Sequence, residues 1–132
     1  MPNIIKPALM CFKDKKLLMA RSCGKDTFYN PGGKIEPGEN EAQALIREVR
    51  EEVCVDIIPE TIRLYGIFRA HAHGRAPDVF VEMHLYYADF IGEPAPGTEI
   101  EEIAYLGMSD LGRISEVGLL IFADAHEKRL LE

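Results

Sequence analysis

Glu48, Glu51 and Glu52 stand at positions i, i+3 and i+4 of a stretch, residues 33–55, that reads GKIEPGENEAQALIREVREEVCV. In an α-helix those positions project on one face, so the spacing gathers three carboxylates into one cluster. Like charges so placed destabilise a helix by about 0.2–0.5 kcal/mol per pair. A divalent cation offsets that repulsion: Mg²⁺ takes oxygen ligands, keeps several waters, and is held by a few carboxylates together with substrate phosphates. Paired glutamates on a charged helix are usually a solvated face, so the residues around them decide the reading.

Gly33, Glu39, Arg47, Glu48, Val49, Glu51, Glu52 and Val55 keep a fixed spacing, with Phe28, Pro31 and Gly32 leading into it. This pattern resembles the box of the Nudix hydrolases: G, five residues, E, seven residues, R-E-aliphatic-x-E-E-x-G-aliphatic. One position departs, since Cys54 stands where that family usually has glycine. All the acidic and basic positions are intact.

The resemblance implies a role for each residue. Glu48 and Glu52 are implied as metal ligands, Glu51 as sharing the metal cluster or activating water, and the Gly33 carbonyl as a further ligand. Glu39 and Arg47 are implied as an orienting ion pair. For Arg47 the alternative is a surface salt bridge along its own helix, yet Gln43 four residues back is uncharged and Glu51 four residues on belongs to the cluster. Mg²⁺, or Mn²⁺ in its place, is the implied cofactor, bridging phosphate oxygens and lowering the pKa of bound water.

A fourth carboxylate is sought outside the box. In the stretch TEIEEIAYL, Glu99 precedes Tyr105 in a way similar to a downstream Glu-Ile and aromatic in that family, which makes it the first choice as base or added ligand over Glu101 and Glu102. Substrate contacts are sought in Phe28 and Tyr29, whose rings suit either base stacking or the core. Arg69, His71 and His73 alternate on one expected strand, and Glu82, His84 and Tyr86 on another; strand parity puts each trio on one face. The histidines have no cysteine or second acidic cluster at zinc-site spacing, so hydrogen-bonded or surface roles are their plain alternative.

The elements that must position these residues follow from local pattern. Residues 8–12 and 17–21 read as strands around a charged turn, residues 34–35 as a short strand, and Pro37-Gly38 as a turn. Asn40 caps the next helix with Gln43 in a capping box, and Ala42, Leu45, Ile46, Val49 and Val53 form its buried stripe. Residues 55–58, 62–71, 79–90 and 103–106 read as strands, and 117–131 as a C-terminal helix. The fold class is α/β (α+β): a mixed sheet with helices on both faces, a Nudix-type α/β/α sandwich by resemblance.

Composition is consistent with this. The 132 residues suit one domain, expected to span 1–132, and bury about two-thirds of the unfolded surface. A net charge of −7 argues against a nucleic-acid polymer or an anionic membrane as standing partner, because both require basic surface. A small nucleotide held through metal ions is compatible with it. The three cysteines, at no metal-ligand spacing, and an opening without a charged region and long apolar run point to the cytoplasm. A monomer or a homodimer is expected.

The activity implied is hydrolysis of a phosphoanhydride in a nucleoside diphosphate linked to another group. A nucleoside or deoxynucleoside triphosphate is the expected substrate, as in MutT-like members, giving a monophosphate and pyrophosphate. Signatures of the ADP-ribose, dinucleoside polyphosphate and coenzyme A subgroups are not found. The alternatives are an ADP-ribose or nucleotide-sugar pyrophosphatase and a non-catalytic nucleotide-binding module.

Overall fold

A computed structural model describes residues 3–71 and 79–132 of the chain. It contains β1 (Asn3–Leu9), β2 (Phe12–Lys13), β3 (Lys16–Ser22), α1 (Glu41–Val53), β4 (Asp56–Ile57), β5 (Arg63–His71), β6 (Phe80–Tyr87), β7 (Phe90–Ile91), β8 (Ile100–Leu106) and α2 (Glu116–Glu127). Short 3₁₀ turns cover Pro59–Thr61 and Met108–Arg113. His73 and the expected loop at 74–78 lie outside the described residues.

One sheet has the order β1-β6-β5, with β1 parallel and β5 antiparallel to β6, so it is mixed as expected. A second has the order β2-β3-β8, and β4 pairs with β7. Strand alternation sends neighbouring residues to opposite faces. Ala8, Met83 and Leu85 pack with Ile121, Phe122 and Ala125 of α2, whereas Leu9 and Tyr86 pack with Leu45, Val49 and Val53 of α1. The helices therefore cover opposite faces.

Several expected boundaries shift for physical reasons. The strand expected at 8–12 is split, because the chain leaves the first sheet at Met10, whose N–H reaches Tyr86 O, and enters the second at Cys11, whose carbonyl accepts from Leu18 N–H. The hairpin turn there places Asp14 and Lys15 at φ 53° and 59°, the left-handed pair of a tight two-residue connection. No strand forms at residues 34–35. Backbone pairing comes earlier, where Gly32 bridges Ala8 and Gly33 N–H donates to Pro7 O. A Cβ on Gly32 would lie 2.2 Å from Pro7 O, so the approach requires glycine.

Helix α1 starts as expected. The Asn40 side chain accepts from Gln43 N–H at 2.8 Å while Gln43 Oε1 accepts from Asn40 N–H at 2.9 Å. Its buried residues are Ala44, Leu45, Val49 and Val53, so Ala44 replaces the expected Ala42, and Ile46 is half-buried. The helix ends at Cys54, φ 62° and ψ 30°, in the left-handed conformation that its missing glycine would favour. Helix α2 is shorter than expected, yet Leu131 beyond it is buried in the core.

Candidate active site

The 3.6-residue period of α1 brings Glu48, Glu51 and Glu52 to the wall of a cavity of about 420 Å³. Glu99 joins them there. Its loop docks on the end of the same helix: Ala95 N–H donates to Val53 O at 3.0 Å and Gly97 N–H to Glu52 O at 2.9 Å, satisfying carbonyls that a helix terminus leaves open. Gly97 sits so close that a Cβ would meet Glu51 O at 1.8 Å. On the other side, Cys23 N–H donates to Glu99 O, which ties the end of β3 to the loop.

Arg47 is the hub of the acidic group. Its Nε and Nη2 donate to the two oxygens of Glu39 at 2.7 and 3.0 Å, and Nη1 donates to Glu48 at 3.0 Å and Glu51 at 3.1 Å. Nη2 also reaches the Lys34 carbonyl at 3.1 Å. The guanidinium fork thus joins the turn before α1 to the middle of the helix, which a point charge cannot do. Hydrogen bonds from Arg47 hold Glu39 below the ordinary carboxylate range.

Glu52 is largely withdrawn from water. Burial pushes it up to about 8, with Glu48 adding to the rise while the Gly32 amide and Lys6 oppose it. Burial also raises Glu48, against the pull of Arg47. Gly33 packs on this group: a Cβ there would stand 2.4 Å from Glu48 Cδ.

Among the described residues no three His, Cys, Asp or Glu side chains converge closely enough to hold an ion, since Glu48 and Glu51 turn to Arg47 and Glu52 to Gly32. The donor set is nonetheless all oxygen, and two of its carboxylates, Glu48 and Glu52, are raised chiefly by burial with neighbouring glutamates adding to it. That is the chemistry a hard divalent cation relieves.

The aromatic candidates separate. Phe28 is 1% exposed in the core, with Arg113 and Arg21 at 4.8 and 5.8 Å from its ring centroid, so the stacking role sought for it does not fit. Tyr29, held by reciprocal backbone bonds to Ala20, points the other way into the cavity, where its hydroxyl is bonded to Ser22 Oγ. Arg69 and His71 pack on Phe80, at 4.5 and 6.0 Å from its ring centroid, and do not line the glutamate cavity. Sequence reading did not single out Ser22 and Thr98 on the cavity wall, although Thr98 stands directly before Glu99.

Residues 7–128 match the family model of the NUDIX domain. The chain belongs to the Nudix family. This Nudix chain is 29% identical over 107 residues to the ADP-ribose pyrophosphatase of Methanocaldococcus jannaschii, covering 78% of the chain and 61% of that protein. It is 34% identical over 71 residues to the dihydroneopterin triphosphate diphosphatase of Escherichia coli, covering 48% of the chain and 47% of that protein. The chain therefore spans less than two-thirds of the length of these curated relatives. A bifunctional NMN adenylyltransferase/ADP ribose pyrophosphatase of Francisella tularensis, solved with AMP and a Mn ion, shares the Nudix fold with a TM-score of 0.67 at 22% identity, covering 96% of this chain and 42% of that one.

Proposed function

We propose that the chain is a Mg²⁺-dependent Nudix pyrophosphohydrolase, with Mn²⁺ as a substitute, that cleaves a phosphoanhydride of a nucleoside diphosphate linked to another group. The substrate is a nucleoside or deoxynucleoside triphosphate, and the products are a monophosphate and pyrophosphate. The observation that carries this is the gathering of Glu48, Glu51, Glu52 and Glu99 on one cavity. A triphosphate substrate is supported by the E. coli relative, a dihydroneopterin triphosphate diphosphatase, and a divalent ion by the Mn in the F. tularensis structure.

Glu48 and Glu52, with the Gly33 carbonyl, would hold the cation. Bound there, it supplies charge against the phosphate oxygens and a lowered pKa for water. Glu51 shares that cluster or takes the proton of the attacking water, and Glu99 is the rival for the base. Arg47 orients Glu48 and Glu51 against Glu39. The Tyr29 hydroxyl, paired with Ser22 on the cavity wall, contacts the substrate. The partner is a small nucleotide rather than a nucleic-acid polymer or a membrane, in line with the charge of −7, and the described residues include no helix long and apolar enough to cross a membrane. We place the protein in the cytoplasm, as a monomer or homodimer.

The M. jannaschii relative, which aligns over more of the chain, favours an ADP-ribose or nucleotide-sugar substrate as the second reading. A panel of triphosphates, ADP-ribose and dinucleoside polyphosphates, assayed for phosphate and pyrophosphate release with Mg²⁺, separates them. Pyrophosphate release from a triphosphate, abolished by chelator and restored by Mg²⁺, is the expected result. A higher kcat/KM for ADP-ribose than for every triphosphate moves the substrate assignment, and tight binding without turnover makes the chain a binding module.

A further inference from the structure

The alternating trio Glu82, His84 and Tyr86 of β6 meets α1 at a place the acidic cavity does not use. His84 Nδ1 lies 2.7 Å from Glu41 Oε1 and Nε2 lies 2.8 Å from Glu82 Oε1, while the Tyr86 hydroxyl donates to the same Glu41 oxygen at 2.7 Å. Ionised carboxylates accept hydrogen bonds and donate none, so both ring nitrogens are satisfied together only when each carries a proton. The His84 side chain is 12% exposed, which shields the pair from the screening that weakens surface bridges. Glu41 opens α1, on the turn that Asn40 caps.

We propose that His84 is a positioning residue for the reaction: held between Glu41 and Glu82, it pins the first turn of α1 to β6 and so sets where the helix presents Glu48, Glu51 and Glu52. The inference rests on the hydrolase reading for its catalytic consequence. Its mechanical part stands on geometry alone. A hydrogen-bonded helix is stiff along its axis. The far end of α1 is held by the amides of Ala95 and Gly97, so a second anchor at Glu41 fixes the segment between them, which carries the glutamates. Without a cation between them, Glu41 and Glu82 become two carboxylates on facing elements, and their repulsion works to lift the first turn from the sheet.

The groups facing His84 are Glu41 from α1, Glu82 and Tyr86 from β6, and from β5 Arg69, the register partner of Glu82; β1 presents Ile5 and Pro7 in register with Glu82 and His84. Burial pulls the imidazole down, but the hydrogen bonds to Glu82 and Glu41 outweigh it and hold the ring above its ordinary value. Glu41 is raised by burial and lowered further by Tyr86 and His84, so it stays ionised. The pin is therefore intact below the raised imidazole value and is lost as pH rises through it.

The test measures kcat and KM against pH, with Mg²⁺, for the wild type, His84→Gln and Glu82→Gln, together with hydrogen exchange of the amides at residues 41–45. In His84→Gln, kcat at neutral pH should fall by about tenfold, less than the about 100-fold a 1 Å misplacement can cost, with KM for the nucleotide little changed. The alkaline decline of the wild type should vanish in that variant. Glu82→Gln keeps the shape and removes one charge, so the decline should move to lower pH. First-turn amides should exchange faster in both. Wild-type kcat and exchange in His84→Gln overturn the pin, as does a loss that is equal at every pH and tracks global unfolding. Faster first-turn exchange in a protein whose wild type hydrolyses no nucleotide supports the pin and removes the hydrolase reading.

Discussion

The backbone N–H of Gly32 donates to Glu52 Oε1 at 3.1 Å, so the glycine turn ahead of α1 grips a carboxylate near the end of that helix, twenty residues along the chain. The same carboxyl is pushed up to about 8, chiefly by burial, from an ordinary 4.5. Between those values the folded protein keeps a proton that the unfolded chain has lost. Stability from this group is complete below the lower value and is lost as pH rises through the upper one.

Glu52→Gln separates charge from shape. The amide oxygen still accepts from Gly32, and the side chain no longer ionises, so the metal-free melting temperature of the variant should fall less than that of the wild type between about pH 5 and about pH 8.5. Turnover should drop by about a hundredfold or more, since even outer partners of a metal site are worth about 10–100-fold. Circular dichroism establishes the fold and steady-state rates the loss. Near wild-type activity would remove Glu52 from the ligands.

Gly32 and Gly33 should respond differently to alanine. At Gly32 the new Cβ meets the backbone of Pro7 and Ala8, which cannot move without breaking β1, so Gly32→Ala should destabilise by about 1–3 kcal/mol or more. At Gly33 the Cβ meets the Glu48 carboxylate, the far end of a flexible side chain that can swing away. Gly33→Ala should keep most of its denaturation midpoint and lose Mg²⁺ affinity and turnover through the displaced Glu48. Equal midpoint losses in the two variants would contradict this division.

Cys54→Gly should raise the denaturation midpoint. Cys54 holds the left-handed conformation at the end of α1 and is exposed, so glycine removes strain of about 1–2 kcal/mol without losing buried contact. The greater freedom of glycine in the unfolded chain takes back about 0.5–1 kcal/mol. A gain of up to about 1.5 kcal/mol is expected in urea titrations, with kcat unchanged. A lower midpoint would mean the cysteine side chain contributes packing that outweighs the strain.

What was legible in the sequence was what local spacing controls. The cap at Asn40 and the shared face of Glu48, Glu51 and Glu52 both depend on residues within a few positions of one another. The place of Glu99 beside the glutamate helix was legible for a different reason: it rests on a resemblance to a downstream family pattern, and the docking of Gly97 on the helix end supplies the structural means that bring Glu99 to the cavity wall. The strand expected at 34–35 was misread because pairing at Gly32 depends on how closely Pro7 approaches, a tertiary event without local signal. Phe28 was ambiguous for the same reason, since an aromatic ring beside a glycine turn suits core and pocket alike. The bond of His84 to Glu41 joins residues 43 positions apart, and no periodicity announces it.

Arg47→Lys tests the hub, because the change keeps the charge and removes the fork. Arg47 satisfies Glu39 with two nitrogens, Glu48 and Glu51 with a third, and the Lys34 carbonyl besides. A lysine ammonium reaches one or two of these at a time, so either the turn at Glu39 or the pair Glu48 and Glu51 is left without its donor. Breaking such a partly buried set should cost about 1–3 kcal/mol in metal-free protein. Saturating Mg²⁺ should narrow that gap, since a cation on Glu48 and Glu51 takes over the neutralisation that Arg47 provides, while the loosened Glu39 still leaves kcat reduced. Melting curves with and without Mg²⁺, read beside steady-state rates, give both quantities. A gap that Mg²⁺ leaves unchanged would mean that Arg47 acts on Glu39 alone, and a variant matching the wild type in both would remove the hub from the site.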